Sequence, residues 1–171
     1  MERGLILFYL GSHPDHRGRL LADILAQDDL WLEVTHDYVQ WLFPNRERSR
    51  VNPHAPVLTD KVVATFHDTE LLKQHLRASF RRMLSFYGLT MAEDGIRKAA
   101  NWDARKGDWF VTDTHNNLRI TRILKCLRTL GLAGEAGAFH ASLTRLRLEE
   151  ADCGIGETAF RHWTRAMDAE R

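Results

Sequence analysis

The stretch His36-Asp-Tyr-Val-Gln-Trp-Leu-Phe-Pro44 decides the fold, because it has no fully polar side when it is laid on a helix. Apolar side chains cover most of the circumference, and Trp41 fills much of what remains. A helix this apolar is typical of a core element, and Pro44 is expected to end it because proline lacks an N–H. His36 and Gln40 are four residues apart, so the pattern predicts neighbours on a buried helix, each with a hydrogen-bond partner.

The composition is that of an ordinary globular chain, with 171 residues, 44% hydrophobic and 27% charged. The length predicts one domain over residues 1–171. No apolar run approaches the roughly 20 residues that cross a bilayer, and the short apolar start has no cleavage site, so we expect no membrane insertion and no signal peptide. The two cysteines, Cys126 and Cys153, belong to no metal-like cluster and indicate free thiols in a reducing compartment. We therefore expect a cytoplasmic protein without a cofactor.

The charge balance argues against nucleic acid as the main partner. The net charge is only +1, so no global basic field attracts a polyanion. Of the 24 basic residues 19 are arginine, which suits bidentate recognition of carboxylate or phosphate. Nucleic-acid binding through Arg46, Arg48, Arg50 and the arginines of 77–82 is the least favoured alternative.

Helical periodicity and helix-ending residues recur along the rest of the chain. Thr59 is a predicted N-cap of a long helical region that Gly88 ends, and no alternation is long enough to predict a sheet. The predicted helices lie at about 20–25, 29–43, 60–87, 91–106, 115–130, 135–149 and 156–169. The sequence thus predicts an all-α fold of roughly six or seven helices around two central ones, 31–43 and 115–131.

The helix over 115–131 carries both an apolar stripe and a polar line. Ile120, Ile123, Leu124, Leu127 and Leu130 form the stripe. His115, Arg119 and Arg122 follow the polar line, where two arginines could clamp a carboxylate or phosphate, or pair with acidic residues of a neighbouring helix.

Sequence motifs for known catalytic machinery are missing. The chain has no glycine-rich phosphate loop, no His-Glu-x-x-His and no Gly-x-Ser-x-Gly. His13, Asp15 and His16 could ligate a metal, but no further ligands follow at the usual spacing, so no metal site is predicted. If the protein is an enzyme, His36 and His115 are the candidates for acid–base work, because histidine titrates near neutrality.

Several motifs in order resemble the conserved domain of the opioid growth factor receptor family. That family shows a His-x-Tyr-Ile-Gln-Trp-Leu-Phe-Pro pattern where this chain has residues 36–44. Further matches are Leu58-Thr59, Met83-Leu84 through Gly88, Asn101-Trp102-x-x-Arg105 and His115-Asn116-x-Leu118-Arg-Ile-Thr-Arg-Ile-Leu-Lys125. The resemblance runs from about residue 8 to the end of the chain.

The resemblance implies a receptor-like role. Animal members of the family are described as receptors for the pentapeptide Met-enkephalin, and they carry long polar, repetitive extensions after this domain. This chain has none, so we expect a stand-alone microbial member.

Two functional hypotheses follow from the motifs. The first is a non-enzymatic binding module for an unknown peptide or small anionic ligand, with a pocket between the two central helices. The predicted pocket residues are His36, Gln40, Trp41, Asn101, Trp102, His115, Arg119 and Arg122. The alternative is an uncharacterised enzyme that acts on a small anionic substrate through His36 or His115.

Overall fold

The protein is mostly α-helical in a computed structural model that describes residues 2–49, 52–112 and 114–168. The α-helices are α1 Glu2–Tyr9, α2 Leu21–Leu25, α3 Asp29–Val34, α4 Val39–Leu42, α5 Asp60–Asp68, α6 Glu70–Phe86, α7 Trp102–Arg105, α8 His115–Thr129, α9 Ala133–Glu149 and α10 Glu157–Ala166. A 3₁₀ turn at Lys106–Asp108 and a hairpin of β1 Leu89–Ala92 and β2 Gly95–Lys98 complete the elements. The all-α prediction is confirmed. In the described ranges, every helix is too short or too polar to cross a membrane.

The chain forms two compact units. The first runs to Arg82 and includes Thr129–Gly131, and the second holds Met83–Arg128 and the chain from Leu132 onward. The prediction of one domain over the whole chain stays a prediction.

Side-chain caps begin two helices of the first unit, and the one at Thr59 was predicted. The Asp28 carboxylate accepts a hydrogen bond from the Trp31 amide at 2.7 Å, at the start of α3. The Thr59 hydroxyl accepts one from the Val62 amide at 3.4 Å, at the start of α5. Each side chain satisfies an amide that has no partner within its own helix, so the helix starts follow from local sequence.

The decisive stretch 36–44 is not one continuous helix, and that prediction was wrong. Helix α3 ends at Val34, the backbone is extended at Thr35, and α4 covers only Val39–Leu42. The break lets the Tyr38 ring enter the core, where its hydroxyl donates to the Leu32 carbonyl at 3.1 Å. It also leaves His36 exposed, contrary to the predicted burial. A continuous helix would have drawn the polar His36 and Asp37 inward, and burying them would cost free energy.

A β-hairpin replaces most of the helix predicted over 91–106. Strands β1 and β2 pair antiparallel from Leu89↔Lys98 to Ala92↔Gly95, and only α7 and the following 3₁₀ turn are helical. Each strand has four residues, too few for a recognisable alternation. The turn between them consists of Glu93 and Asp94, and Gly95 begins β2 directly after it with a positive φ that suits glycine.

Glycine also sets the path of the chain into the hairpin. Gly88 follows α6 with φ +74°, a conformation that other residues rarely adopt. A Cβ atom at Gly88 would lie 2.7 Å from the Trp102 Cα atom, which only glycine avoids. This close approach seats Trp102 in the core of the second unit.

Helix α8 supplies the centre of the second unit. The predicted stripe is confirmed, because Ile120, Ile123, Leu124 and Leu127 have no exposed surface. Such complete burial of aliphatic side chains is the main favourable contribution to folding.

Candidate functional site

The eight predicted pocket residues divide between the two units. The first unit holds His36, Gln40 and Trp41, and the second holds Asn101, Trp102, His115, Arg119 and Arg122. That all eight line one pocket stays a prediction.

Gln40 and Trp41 hold the motif together from inside the first unit. The Gln40 amide is buried, and the orientation that satisfies it places its nitrogen 3.2 Å from the His36 carbonyl and 3.1 Å from the Asp37 carbonyl. The Trp41 ring is 8% exposed and packs edge-on against Phe8, with centroids 5.2 Å apart. Gln40 therefore stabilises the turn that precedes α4, and Trp41 packs α4 against α1.

Asn101 and Trp102 serve the second unit in the same way. The Asn101 amide donates to the Ser85 carbonyl at 2.9 Å. The buried Trp102 ring meets the Trp109 and Phe110 rings edge-on, with centroids 5.9 and 5.3 Å away. The motif Asn-Trp thus fastens the region after the hairpin to the end of α6.

Arg119 lies inside the second unit at 4% exposure. Its guanidinium donates to the Asn116 side-chain oxygen at 3.1 Å, and its central carbon lies 6.0 Å from the centre of the Phe86 ring. His115 and Arg122 are half-buried on the same helix. A buried guanidinium with a hydrogen-bond partner and an aromatic neighbour is part of the core.

A cluster of charged side chains stands beside the motif in the first unit. Asp15 accepts hydrogen bonds from the backbone amides of Arg17 and Arg19 and pairs with the Arg19 guanidinium at 2.6 Å. Arg17 and Arg19 both reach Asp37, each at 2.9 Å. Two carboxylates and two guanidiniums therefore join the loop after α1 to the turn before α4. Both carboxylate oxygens of Asp15, which was considered as a metal ligand, take part in this network.

His16 sits at the centre of this network between a tryptophan and a carboxylate. The Trp41 Nε1–H donates to His16 Nδ1 at 3.1 Å, and His16 Nε2 lies 3.4 Å from the Asp37 carboxylate. An indole N–H only donates, so His16 Nδ1 must carry a lone pair and Nε2 the proton. On one face the His16 ring stacks on His54, with centroids 5.4 Å apart and planes at 16°.

The surroundings shift two pKa values in the cluster. Burial lowers the pKa of His16 below its usual 6.5, although Asp15 and Asp37 oppose the change. For Asp37, burial alone would raise the pKa, but hydrogen bonds from Arg17 and Arg19 outweigh it and lower the pKa below 3.8. The neutral histidine and the ionised carboxylate are thus the forms that the fold favours.

Asp37→Asn is expected to lower the free energy of unfolding by about 1.5 kcal/mol near neutral pH, because the carboxylate accepts charge-assisted hydrogen bonds. Since the folded pKa of Asp37 lies below the unfolded value, its stabilisation is present above 3.8 and is lost as pH falls through the folded value. Urea unfolding of both proteins at neutral pH and at pH about 3 checks this, because the difference should shrink in acid.

Asp60→Asn is the matched control for that experiment. Asp60 pairs with Arg46 at 2.7 Å, but its side chain is 94% exposed, so we expect a loss below about 0.5 kcal/mol. Equal losses of unfolding free energy in the two variants would show that the Asp37 cluster stabilises the fold no more than an exposed ion pair does.

A cavity of about 480 Å³ opens beside the segment that follows the motif. Its lining residues are Glu2, Arg48, Ser49, Asn52, Pro53, Ala55, Val57 and Thr59. Asn52 is buried, donates to the Asp37 carbonyl at 3.4 Å and accepts from the His54 amide at 3.0 Å. The wall of the cavity is therefore tied to the charged cluster.

Sequence reasoning missed His54 and Asn52 and weighed His16 only as a metal ligand. No local signal links these residues, since 25 positions separate His16 from Trp41 and 38 separate it from His54. Across the described parts of the chain, no three His, Cys, Asp or Glu side chains converge to hold a metal ion.

Three of the arginines considered for nucleic-acid binding form ion pairs within the protein. Arg46 pairs with Asp60 at 2.7 Å and Arg82 with Asp29 at 2.8 Å. Arg77 pairs with Glu70 at 2.6 Å. Arg48 is exposed, and Arg50 lies outside the described residues.

The sequence matches the family model described as the opioid growth factor receptor conserved region over residues 12–162. The chain is 41% identical over 140 residues to the rat opioid growth factor receptor, a match that covers 78% of this chain and 23% of the relative. It is 42% identical over 124 residues to the human receptor, covering 70% of this chain and 17% of the relative. The mouse opioid growth factor receptor-like protein 1 is 35% identical over 122 residues, or 70% of this chain and 25% of that protein.

The matches span a quarter or less of each of these relatives, from 17% to 25% of their length. No solved structure matches the chain. The family match takes in the 36–44 motif, the cavity lining from Arg48 to Thr59, and α8. The chain therefore belongs to the family defined by the opioid growth factor receptor conserved region.

Proposed function

We propose that this protein is a non-enzymatic binding module whose peptide or small anionic ligand occupies the cavity that Glu2, Arg48 and Asn52 help to line. The observation that carries the proposal is the cavity itself. Its volume of about 480 Å³ lies within the usual range of small-ligand sites. Its lining mixes apolar and polar groups, which is also typical of such sites.

The charged lining residues suggest how a ligand would be held. Arg48 is exposed, and a guanidinium binds carboxylate or phosphate groups in a bidentate way. Glu2 lies across the same cavity and suits an ammonium group, such as the amino terminus of a peptide. Pro53, Ala55 and Val57 offer apolar surface to a side chain. A ligand with a carboxylate, an ammonium group and an apolar side chain, such as a short peptide, satisfies all of these.

The names of the relatives agree with a binding role. The rat and human proteins are called receptors for an opioid growth factor, and the region they share with this chain includes the cavity lining from Arg48 to Thr59. Binding without catalysis also agrees with the hydrogen bonding of His16. His16 Nδ1 already accepts a hydrogen bond from Trp41, so this half-buried imidazole is not poised as a general base.

Arg48→Ala is expected to weaken ligand binding by tenfold to a hundredfold, because it removes a charge-assisted hydrogen bond of about 1.5–3 kcal/mol. A thermal-shift screen of peptides, nucleotides and sugar phosphates first identifies a ligand, since a ligand at a hundred times its Kd adds about 2.7 kcal/mol of stability. Titration of the hit against the variant then measures the loss.

Arg161→Ala is the matched control, because Arg161 is an exposed arginine of α10 that does not line the cavity. It should bind the hit as the unmodified protein does. A hit that Arg48→Ala retains in full would place the ligand elsewhere, and a screen without any hit would argue against a small ligand.

A further inference from the structure

The His16 imidazole connects the 36–44 motif to the wall of the cavity through a short chain of contacts in the first unit. Trp41 donates to His16 Nδ1, His16 stacks on His54, and the His54 amide donates to the Asn52 side chain at 3.0 Å. Asn52 lines the cavity. One ring therefore touches both the core of the motif and the segment that shapes the candidate site.

We propose that protonation of His16 loosens the segment 52–55, so that the cavity is formed at neutral pH and opened in mild acid. This inference rests on the proposed function for its biological meaning, but its structural content concerns only the cavity wall.

The neutral and the protonated form of His16 cannot both keep the observed hydrogen bond with Trp41. In the neutral form, Nδ1 accepts the Trp41 N–H and Nε2–H faces Asp37. A proton on Nδ1 would set two donors against each other, so the contact with Trp41 must break. Trp41 is 92% buried, and its N–H would then lack its acceptor in a site from which water is largely excluded.

The surrounding charges set the pH range of the change. Asp15 and Asp37 attract the proton, while burial and the neighbouring Arg19 and His54 oppose it. Burial has the largest effect of these, so the pKa of His16 lies below 6.5. The ring is therefore neutral at pH 7 in the folded protein. Because the folded pKa is depressed, protonation destabilises the folded arrangement progressively as pH falls below 6.5.

The stacked His54 ring transmits the change to the cavity wall. A positive charge on His16 comes to lie 5.4 Å from the centre of the His54 ring and parallel to it. His54 is one of the groups that oppose a positive charge on His16. His54 is exposed, so it can move away, and its amide would leave Asn52 when it does.

The test follows Asn52 and Trp41 by NMR in the full chain between about pH 7.5 and pH 5. The indole resonance of Trp41, assigned with Trp41→Phe, and the backbone amide of Asn52 should titrate together with a midpoint below 6.5. Over the same range, the hydrogen-exchange protection of the His54 amide should fall about tenfold after correction for intrinsic rates.

His16→Asn separates this coupling from general acid effects. An asparagine side-chain oxygen can replace Nδ1 as the acceptor for Trp41 but does not titrate, so the joint titration should disappear. His54→Ala removes only the exposed stacking partner: Trp41 should still titrate while Asn52 stops following it. An Asn52 resonance that is constant with pH in the unmodified protein, or that titrates unchanged in either variant, would overturn the proposal.

These measurements need no ligand. Joint titration of the Trp41 and Asn52 resonances, together with a thermal-shift screen that finds no ligand, would support the pH-dependent change and reject the proposed small ligand. A hit lost in Arg48→Ala without any titration of Asn52 would keep the ligand site and reject the switch.

Discussion

Trp41→Ala is expected to lower the free energy of unfolding by about 4 kcal/mol, the middle of the range for removing a buried large aromatic side chain. The ring is 8% exposed, packs against Phe8 and donates to His16. Truncation leaves a cavity in the first unit and an imidazole without its donor. Urea unfolding at neutral pH, with the slope compared between proteins, measures the change.

Trp41→Phe separates the loss due to ring packing from the loss due to the hydrogen bond. Phenylalanine keeps most of the ring packing against Phe8 but lacks the N–H, so a loss of about 1–2 kcal/mol is expected. A Trp41→Ala protein as stable as the unmodified one would show that Trp41 is not a core residue, and would restore its predicted role as a wall of a ligand pocket.

Arg119→Ala is expected to lower the free energy of unfolding by about 3 kcal/mol, because it breaks a buried polar contact and empties the volume of a long side chain. Arg119 is 4% exposed and donates to Asn116 beside the Phe86 ring. Arg119→Lys should recover only part of the loss, since an ammonium lacks the planar guanidinium that stacks on aromatic faces. Thermal or urea unfolding of the three proteins measures these differences.

Arg161→Ala again provides the control, because an exposed arginine should change stability by less than about 0.5 kcal/mol. Arg119 was predicted to clamp an anionic ligand or to form an internal pair. If Arg119→Ala leaves stability unchanged and abolishes only ligand binding, the ligand role is correct and the core role is wrong.

Several predicted ligand residues are buried in the structure. Gln40, Trp102 and Arg119 are polar or aromatic residues inside helical motifs, a pattern that suits a pocket and a core equally well. Arg119 donates to Asn116, and Asn101 donates to the Ser85 carbonyl, so both side chains have partners within the protein. Their role as ligand contacts stays a prediction, which the substitution of Arg119 tests.

The cavity was harder to foresee, because its lining is an irregular segment with two prolines and little periodicity. Arg48 was considered only for nucleic-acid binding, and Asn52 had no assigned role. Whether such a loop encloses space depends on contacts such as Asn52 with the Asp37 carbonyl, which leave no regular trace in sequence.

The local features of this protein follow from its sequence alone. Helical periodicity gave the all-α class and the buried stripe of α8, and side-chain caps at Asp28 and Thr59 set where α3 and α5 begin. These features depend on residues within one or two turns of each other, so the chain carries them without reference to the fold. The family membership is also readable at this level, because its motifs are contiguous.

Contacts between distant segments account for the places where the chain departs from its local conformational preference. They interrupt the helix before Val39 so that Tyr38 can be buried, and they bring His16 to Trp41 and His54. Both outcomes depend on which distant segments share a core, because burying apolar rings and satisfying buried polar groups outweigh the propensity of a few residues. The candidate site is therefore a product of packing and not of any single motif.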